Sequence, residues 1–349
     1  MDNLASKYRP KTFEDVTEQS VVTEVLEKIC STEPLAIRNF LFIGSAGCGK
    51  TTISRCIARR LNGDDYEPIE IDAASHGGVD DIRKLIEQAR SFPIGYKYKI
   101  FIIDECHSLS NNAWQALLKT LEELPAASVF CFATTNPEKI PATILSRVQT
   151  FQLSKISLDG MVSRLLYIVE EENKERASAN TELITYEDEA INYIAKLAQG
   201  GMRDAITLLD KALAYSNAVT SENIHVALNL PNYDDYFLLL NYLVKKNNKG
   251  IIELINRVYN SGVNYVKWFD GFLSFISNIV KYIYMQNINA TMIPSHYQDK
   301  ISGYGINHAA MCLKLSNKLV TLNQELRTTQ YLQELTIAHL CSVPTKETK

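Results

Sequence analysis

The sequence predicts a parallel α/β domain followed by two helical regions, and three observations lead there. Over the first 150 residues, short apolar runs alternate with segments of helical period. The apolar runs are too continuous for burial on one side, which argues for a parallel sheet covered on both faces. Beyond Leu153 the strand signals fade and helical patterns take over.

Taken in order, Asn39–Ile43 reads as a buried strand, residues 44–49 as a loop, and Thr51–Leu61 as a helix with Ile53, Ile57 and Leu61 on one face. Ile69–Ile71 is a second short strand. Val79–Ala89 follows as a helix that turns Ile82, Leu85 and Ile86 inward and carries Asp80 and Asp81 in its first turn, where the helix dipole favours negative charge. Lys99–Ile103 is a third strand, Ala113–Leu121 a helix, and Val129–Thr134 a fourth strand. Leu158–Asn173, Glu187–Gln199 and Arg203–Ala214 read as three helices, with Gly200 and Gly201 as a stop between the last two. From Pro231 the chain is rich in Tyr and Asn yet still helical in pattern, as in Phe237–Leu243, Ile251–Tyr259 and Met311–Leu322, and only a short polar tail follows Cys341. The expected domains are 1–153, 154–228 and 229–349.

At 349 residues and 46% hydrophobic content, the chain can bury two or three cores, and 22% charged residues exclude a disordered polyelectrolyte. The net charge of −4 is uneven: −8 over the first 230 residues and +4 beyond. That does not point to nucleic-acid binding over the whole surface and leaves room for a local basic stripe. The seven cysteines form no C-x-x-C pair, which argues against a zinc ribbon or disulfide framework and for a reducing cytosol. The start lacks a basic, apolar leader, and no apolar stretch reaches the ~18 residues of a membrane span. A cytoplasmic protein with no membrane partner is expected.

The chemistry begins at Gly44-Ser45-Ala46-Gly47-Cys48-Gly49-Lys50-Thr51, which matches G-x-x-x-x-G-K-[ST] with an apolar strand before it and a helix after. Its glycines let successive N–H groups point at phosphate oxygens, and the helix adds its positive end. Lys50 is placed to reach the β- and γ-phosphates, and the Thr51 hydroxyl to ligate Mg²⁺. The strand Ile100–Ile103 then ends in Asp104 and Glu105, the first placed near the metal and the second able to orient and activate the attacking water. The two elements imply Mg²⁺-dependent nucleotide hydrolysis. His107 and His76 are expected to be structural or surface residues, and the six histidines show no metal-ligand spacing.

Further motifs occur in order: Tyr8-Arg9-Pro10-x-x-Phe13-x-Asp15-Val16, Ile69–Ser75, Ile103-Asp104-Glu105-x-His107, Ala116–Glu123, Ala133–Pro137, Ile144–Arg147 and Gly201–Ala205. With the phosphate loop, this run closely resembles the gamma/tau family of bacterial DNA polymerase III subunits, the AAA+ clamp-loader ATPases. The likeness is dense over residues 4–215 and weak from 231, where only helical character and position agree with the family's collar domain.

The resemblance implies an ATPase that uses Mg²⁺ and assembles with other clamp-loader subunits into an open ring, a pentamer, to load a sliding clamp onto primer-template DNA. In it, Tyr8, Arg9, Pro10 and Val16 pack beside adenine, and Thr52 follows Thr51 in the nucleotide contacts. Thr135 matches a first sensor that touches the γ-phosphate or the lytic water. Arg203 matches a second sensor acting in cis, and Arg147 an arginine finger acting on the neighbour's ATP, which requires a heterologous interface. Arg83, Lys84 and Lys119, near two helix starts, are the cations it implies for DNA.

Two departures stand out. The family's four zinc-binding cysteines are missing between Arg60 and Ile69, so no zinc is expected, and Val148 stands where Cys commonly follows the finger. The long extension of the tau form is also missing, which points to the short gamma form or a phage-type subunit. The alternatives are another AAA+ DNA motor, for helicase loading or branch migration, and a stator subunit without turnover.

Overall fold

The computed structural model describes residues 3–125, 127–230, 232–294, 297–328 and 332–341; the polar tail after Cys341 lies outside them. The chain divides into two compact units, Met1–Val219 and Thr220–Lys349.

In the first unit, α1 (Leu4–Lys7) and α2 (Ser20–Cys30) precede β1 (Asn39–Ile43), α3 (Lys50–Asn62), β2 (Ile69–Asp72), α4 (Val79–Arg90) and β3 (Lys99–Asp104). Then come α5 (Asn111–Glu122), β4 (Ser128–Thr134), α6 (Ala142–Leu145) and β5 (Gln149–Gln152). The five strands form one parallel sheet in the order β2-β3-β4-β1-β5.

Alternation along the strands builds the two faces. Leu41, Ile43, Phe101, Ile103, Phe130 and Phe132 pack with α4 and α5 residues such as Ile82, Leu85, Trp114 and Leu117. Phe40, Phe42, Ile100, Ile102, Val129 and Cys131 pack with Leu26 and Cys30 of α2 and Ile53 and Ile57 of α3. Each large side chain buried in this way contributes roughly 1.5–3 kcal/mol. Burial holds the Cys30 and Cys56 thiols up at about 12, so both remain protonated core residues.

The helical lid follows, as α7 (Leu158–Ser178), β6 (Thr185–Tyr186), α8 (Asp188–Leu197), α9 (Met202–Tyr215) and β7 (Ala218–Val219), with β6 and β7 pairing in parallel. Ser157 caps α7 by accepting from the Gly160 N–H at 3.0 Å, and its own N–H and hydroxyl both donate to the Glu18 carboxylate. A residue of the α/β part thereby fixes the start of the first lid helix. β5 carries no strand signal in the sequence because only Phe151 of its four residues is buried, and β6 and β7 carry none because each has two residues.

The second unit contains α10 (Ser221–Ala227), α11 (Tyr233–Lys245), α12 (Asn248–Asn260), α13 (Tyr265–Met285), α14 (Gln298–Ile301), α15 (Ile306–Leu326) and α16 (Leu332–Cys341). In α13 the residues Trp268, Phe269, Phe272, Phe275, Ile276 and Ile279 recur at helical spacing and are buried. The Tyr236 hydroxyl donates to the Trp268 carbonyl at 2.8 Å, and Asn323 of α15 and Arg327 just after it donate to Asp270 at 2.6 and 3.1 Å. No helix among the described residues is long and apolar enough to cross a membrane.

Candidate active site

The loop after β1 must turn sharply at the carboxyl edge of the sheet, and glycine makes this possible: Gly47 has φ +72° and Gly49, which precedes α3, φ +110°. The tight turn aims the first N–H groups of α3 at one point and makes an anion cradle there. The Lys50 ammonium, 6% exposed as a residue, donates to the Gly44 and Ser45 carbonyls at 2.9 and 3.0 Å.

β3 delivers the acids beside it. The Thr51 hydroxyl donates to Asp104 Oδ2 at 2.7 Å, which sets two hard oxygen ligands side by side. Mg²⁺ usually takes one or two protein oxygens and fills its octahedron with phosphate and water, so this donor pair fits it. Glu105 adopts φ +43°, uncommon for a residue with a side chain. The buried Cys106 begins the 3-10 turn Cys106–Ser108 and anchors it. Glu105 Oε2 accepts from the Thr135 hydroxyl at 3.0 Å and its N–H at 3.3 Å.

A cleft of ≈ 310 Å³ gathers these groups. It is lined by Tyr8, Arg9, Pro10 and Val16, by residues 46–52 including Ala46, Cys48 and Thr52, by Asp104 and Glu105, and by Arg203 from the start of α9. Ile156, Met202 and Ile206 add an apolar wall suited to the face of a base. Arg9 has its pKa lowered by burial and then by the charges of Arg55 and Arg203. Cations crowded in this way gain when a polyanion arrives.

Arg164 of α7 also lines the cleft and was not foreseen; it donates to the Tyr8 carbonyl at 2.9 Å. The Tyr8 hydroxyl donates to Glu172 at 2.9 Å, and Lys7 pairs with Glu172 and Glu175 at 2.6 and 2.5 Å. Burial and the Glu172 carboxylate push the Tyr8 phenol up, so it stays a donor at neutral pH. The N-terminal segment is thereby fastened to the lid.

On the other side of the cleft, the Met202 N–H donates to the Gly47 carbonyl at 3.0 Å. A Cβ on Gly47 would stand 2.9 Å from the Gly201 Cα on a left-handed backbone. Gly47→Ala is therefore expected to weaken ATP-analogue binding by about tenfold, since one lost hydrogen bond of about 1.4 kcal/mol already gives that factor. Titration with a fluorescent analogue measures it, and unchanged affinity would refute the tight loop–lid contact.

Arg147 is not part of its own chain's cleft. Its guanidinium donates to Glu122 of α5 and, through Nη1, to the Thr143 carbonyl at 2.6 Å, while its carbonyl accepts from Asn39 at 3.2 Å. Asn39 opens β1, so Arg147 sits at the edge of the sheet opposite the phosphate loop. Arg83 and Lys84 are exposed on α4 and face Asp80 and Asp81 at 3.3 and 4.0 Å. Lys119 is exposed on α5. His76 is exposed, whereas His107, expected to be structural or on the surface, is mostly buried and lies 3.2 Å from Glu105 Oε2.

Comparison with known proteins follows the same lines. A family model described as the ATPase lid domain of the DNA polymerase III clamp loader subunit matches residues 176–218, and one described as DNA polymerase III, delta subunit, matches 64–157. The DNA polymerase III subunit gamma of Buchnera aphidicola subsp. Baizongia pistaciae is 31% identical over 322 residues, covering 85% of this chain and 84% of that protein. Subunit tau of Bacillus subtilis is 32% identical over 297 residues, covering 79% of this chain and 51% of the relative, and that of Escherichia coli is 34% identical over 284 residues, covering 75% and 42%. The chain thus spans about half the length of these tau relatives, or less. The Thermotoga maritima RuvB Holliday junction branch migration motor matches with a TM-score of 0.51 at 18% identity, covering 68% of this chain and 79% of that one, which shows a shared fold alone.

Proposed function

Because the chain belongs to the gamma/tau family of DNA polymerase III subunits, we propose that it is the ATP-hydrolysing motor subunit of a clamp loader, which places a ring-shaped sliding clamp on primed DNA. The observation that carries the reading is the junction of Thr51 with Asp104 at 2.7 Å and of Glu105 with Thr135 at 3.0 Å, beside Lys50 in a cleft closed by the lid. A metal ligand pair, a base and a phosphate cation converge there.

In this reading Lys50 and the α3 N-terminus bind the terminal phosphates, and Arg9, Arg164 and Arg203 add positive charge around them. Tyr8, Pro10 and Val16 border the base. Thr51 and Asp104 would hold Mg²⁺, which would supply neutralisation of the charge on the phosphates. Glu105 takes the proton of the attacking water, and Thr135 fixes the carboxylate that does so. Arg147 completes the neighbouring subunit's site, so turnover belongs to the assembly. Its partners are other clamp-loader subunits in an open ring of five, the clamp and primer-template DNA, in the cytosol of a bacterium or of a phage-infected cell.

DNA enters the reading through the starts of α4 and α5. They lie together, since the Ser110 N–H donates to the Gly77 carbonyl at 3.2 Å. Helix N-terminal N–H groups assisted by Arg83, Lys84 and Lys119 would track a phosphate backbone without reading bases.

The fold shared with the RuvB motor leaves a second reading open, in which this fold drives branch migration, although the likeness itself carries no function. One experiment separates them: ATP turnover of the assembled protein with clamp and primed DNA, against a four-way junction. Several-fold stimulation by clamp with primed DNA is expected. A rate indifferent to both and raised by the junction would replace the clamp-loader reading with the other.

A further inference from the structure

We infer that His107 is a positioning residue for the hydrolytic step: its Nδ1, hydrogen-bonded to Thr134 Oγ1, packs 3.2 Å from Glu105 Oε2 and so helps set which carboxylate oxygen is left for the attacking water. This rests on the reading of Glu105 as the base.

Two donors converge on one oxygen, and a ring nitrogen lies beside it. Oε2 lies 3.0 Å from the Thr135 hydroxyl, 3.3 Å from the Thr135 amide and 3.2 Å from His107 Nδ1. Oε1 of Glu105 takes no hydrogen bond among the described residues, and Glu105 lines the cleft. The other ring nitrogen decides the tautomer. Nε2 stands 3.4 Å from Asn136 Nδ2, an N–H donor, so it presents its lone pair there. The proton then sits on Nδ1 and is directed at Thr134 Oγ1, 3.1 Å away and itself accepting from the Asn136 N–H at 3.0 Å, with Glu105 Oε2 packed 3.2 Å from the same nitrogen. The opposite tautomer would set a lone pair against the carboxylate and an N–H against an NH₂.

The placement has a local cause. The left-handed turn at Glu105 and the 3-10 turn after it bring residue 107 back beside residue 105. The His107 side chain is 14% exposed and that of Glu105 32%, so the contact is shielded from competing water. Thr134, Thr135 and Asn136 belong to one strand end, so β4 grips the base directly through Thr135 and indirectly through His107.

The test compares His107→Ala, His107→Asn and His107→Gln in the assembled full-length protein with clamp and primed DNA. Asn carries its amide nitrogen near the Nδ1 position, and Gln near Nε2. His107→Ala is expected to lower kcat by roughly 10- to 100-fold, the scale of an ångström-level misplacement, while ATP-analogue affinity stays within about twofold. Asn should recover most of the rate and Gln should not. In a Glu105→Gln background, His107→Ala should add no further loss.

Equal rates for Asn and Gln, an unchanged kcat in the alanine variant, or a loss that appears in nucleotide affinity would each overturn the inference. Should the alanine variant fail to fold, the Asn–Gln comparison decides alone. Wild-type turnover by Glu105→Gln would instead refute the reading of the site, a separate and recognisable failure.

Discussion

A chain carrying Glu105→Gln will bind ATP and Mg²⁺ as the parent does and hydrolyse ATP roughly 10²- to 10⁴-fold more slowly, the span a positioned general base supplies. That factor corresponds to about 3–5 kcal/mol of barrier. The substitution keeps the shape and hydrogen bonding that set the side chain. An amide oxygen still accepts from the Thr135 hydroxyl, now 3.0 Å from Oε2. The left-handed backbone is held by the buried Cys106 turn and by the Glu105 N–H, which donates to Asp104 Oδ1 at 2.9 Å. Only proton acceptance is lost. Lys50, Thr51 and Asp104 are untouched, so analogue affinity should hold, and removing one of two adjacent carboxylates should not lower the thermal midpoint. Single-turnover phosphate release measures the loss. Hydrolysis within threefold of the parent would remove Glu105 from the mechanism.

What could be read before the structure depended on how local the cause was. All five residues of β1 are buried, as are all seven of β4, and a continuous apolar run announces such strands. Gln149–Gln152 announces nothing, because β5 is an edge strand that pairs only with β1 and exposes three of its four side chains. Backbone pairing holds it more than burial, and pairing leaves little trace in composition. Helix α7 illustrates the boundary problem. It runs to Ser178 and not Asn173, because its last turns carry Glu and Arg that look solvated.

The site divides in the same way. Lys50, Thr51, Asp104 and Glu105 fall in two contiguous motifs whose chemistry is complete within a few residues. Arg164 is 156 residues from the Tyr8 carbonyl it meets, and nothing local sets it apart from other helix-surface arginines. The phosphate-loop pattern leaves position 47 open, so neither its positive φ nor its close approach to Gly201 was readable. That contact gives the residue a second task, docking the lid. His107 was undervalued because a histidine near an acid is ordinary in sequence. Its meaning comes from Asn136, which selects the tautomer across 29 residues of chain.

Arg147→Ala should cut the clamp- and DNA-stimulated rate of the assembly by roughly 10³- to 10⁵-fold, the range for an arginine that meets transition-state charge on a phosphoryl group. It should leave the ATP affinity and basal turnover of the isolated chain unchanged. The Arg147 carbonyl is tied to Asn39 at the first residue of β1, whereas the phosphate loop begins after its last, and five strand residues span roughly 16 Å. An arginine there lies far from its own cleft, and in the proposed reading it acts on another subunit's. Nor is it free: Glu122 and the Thr143 carbonyl hold its guanidinium. The magnitudes show that this hold does not prevent function. The pair is partly exposed, at 31% for Arg147 and 50% for Glu122, and such pairs are worth about 1 kcal/mol or less. A triphosphate with developing charge outbids that carboxylate, and the held state aims the side chain until a neighbour docks. Mixing Arg147→Ala chains with Glu105→Gln chains is the decisive measurement. Each variant keeps what the other lacks, so where copies of this chain are neighbours the mixture will show clamp- and DNA-stimulated turnover although neither variant does alone. An isolated Arg147→Ala chain whose basal rate falls as far as that of the assembly would show the arginine acting within its own subunit, and the shared site would have to be abandoned.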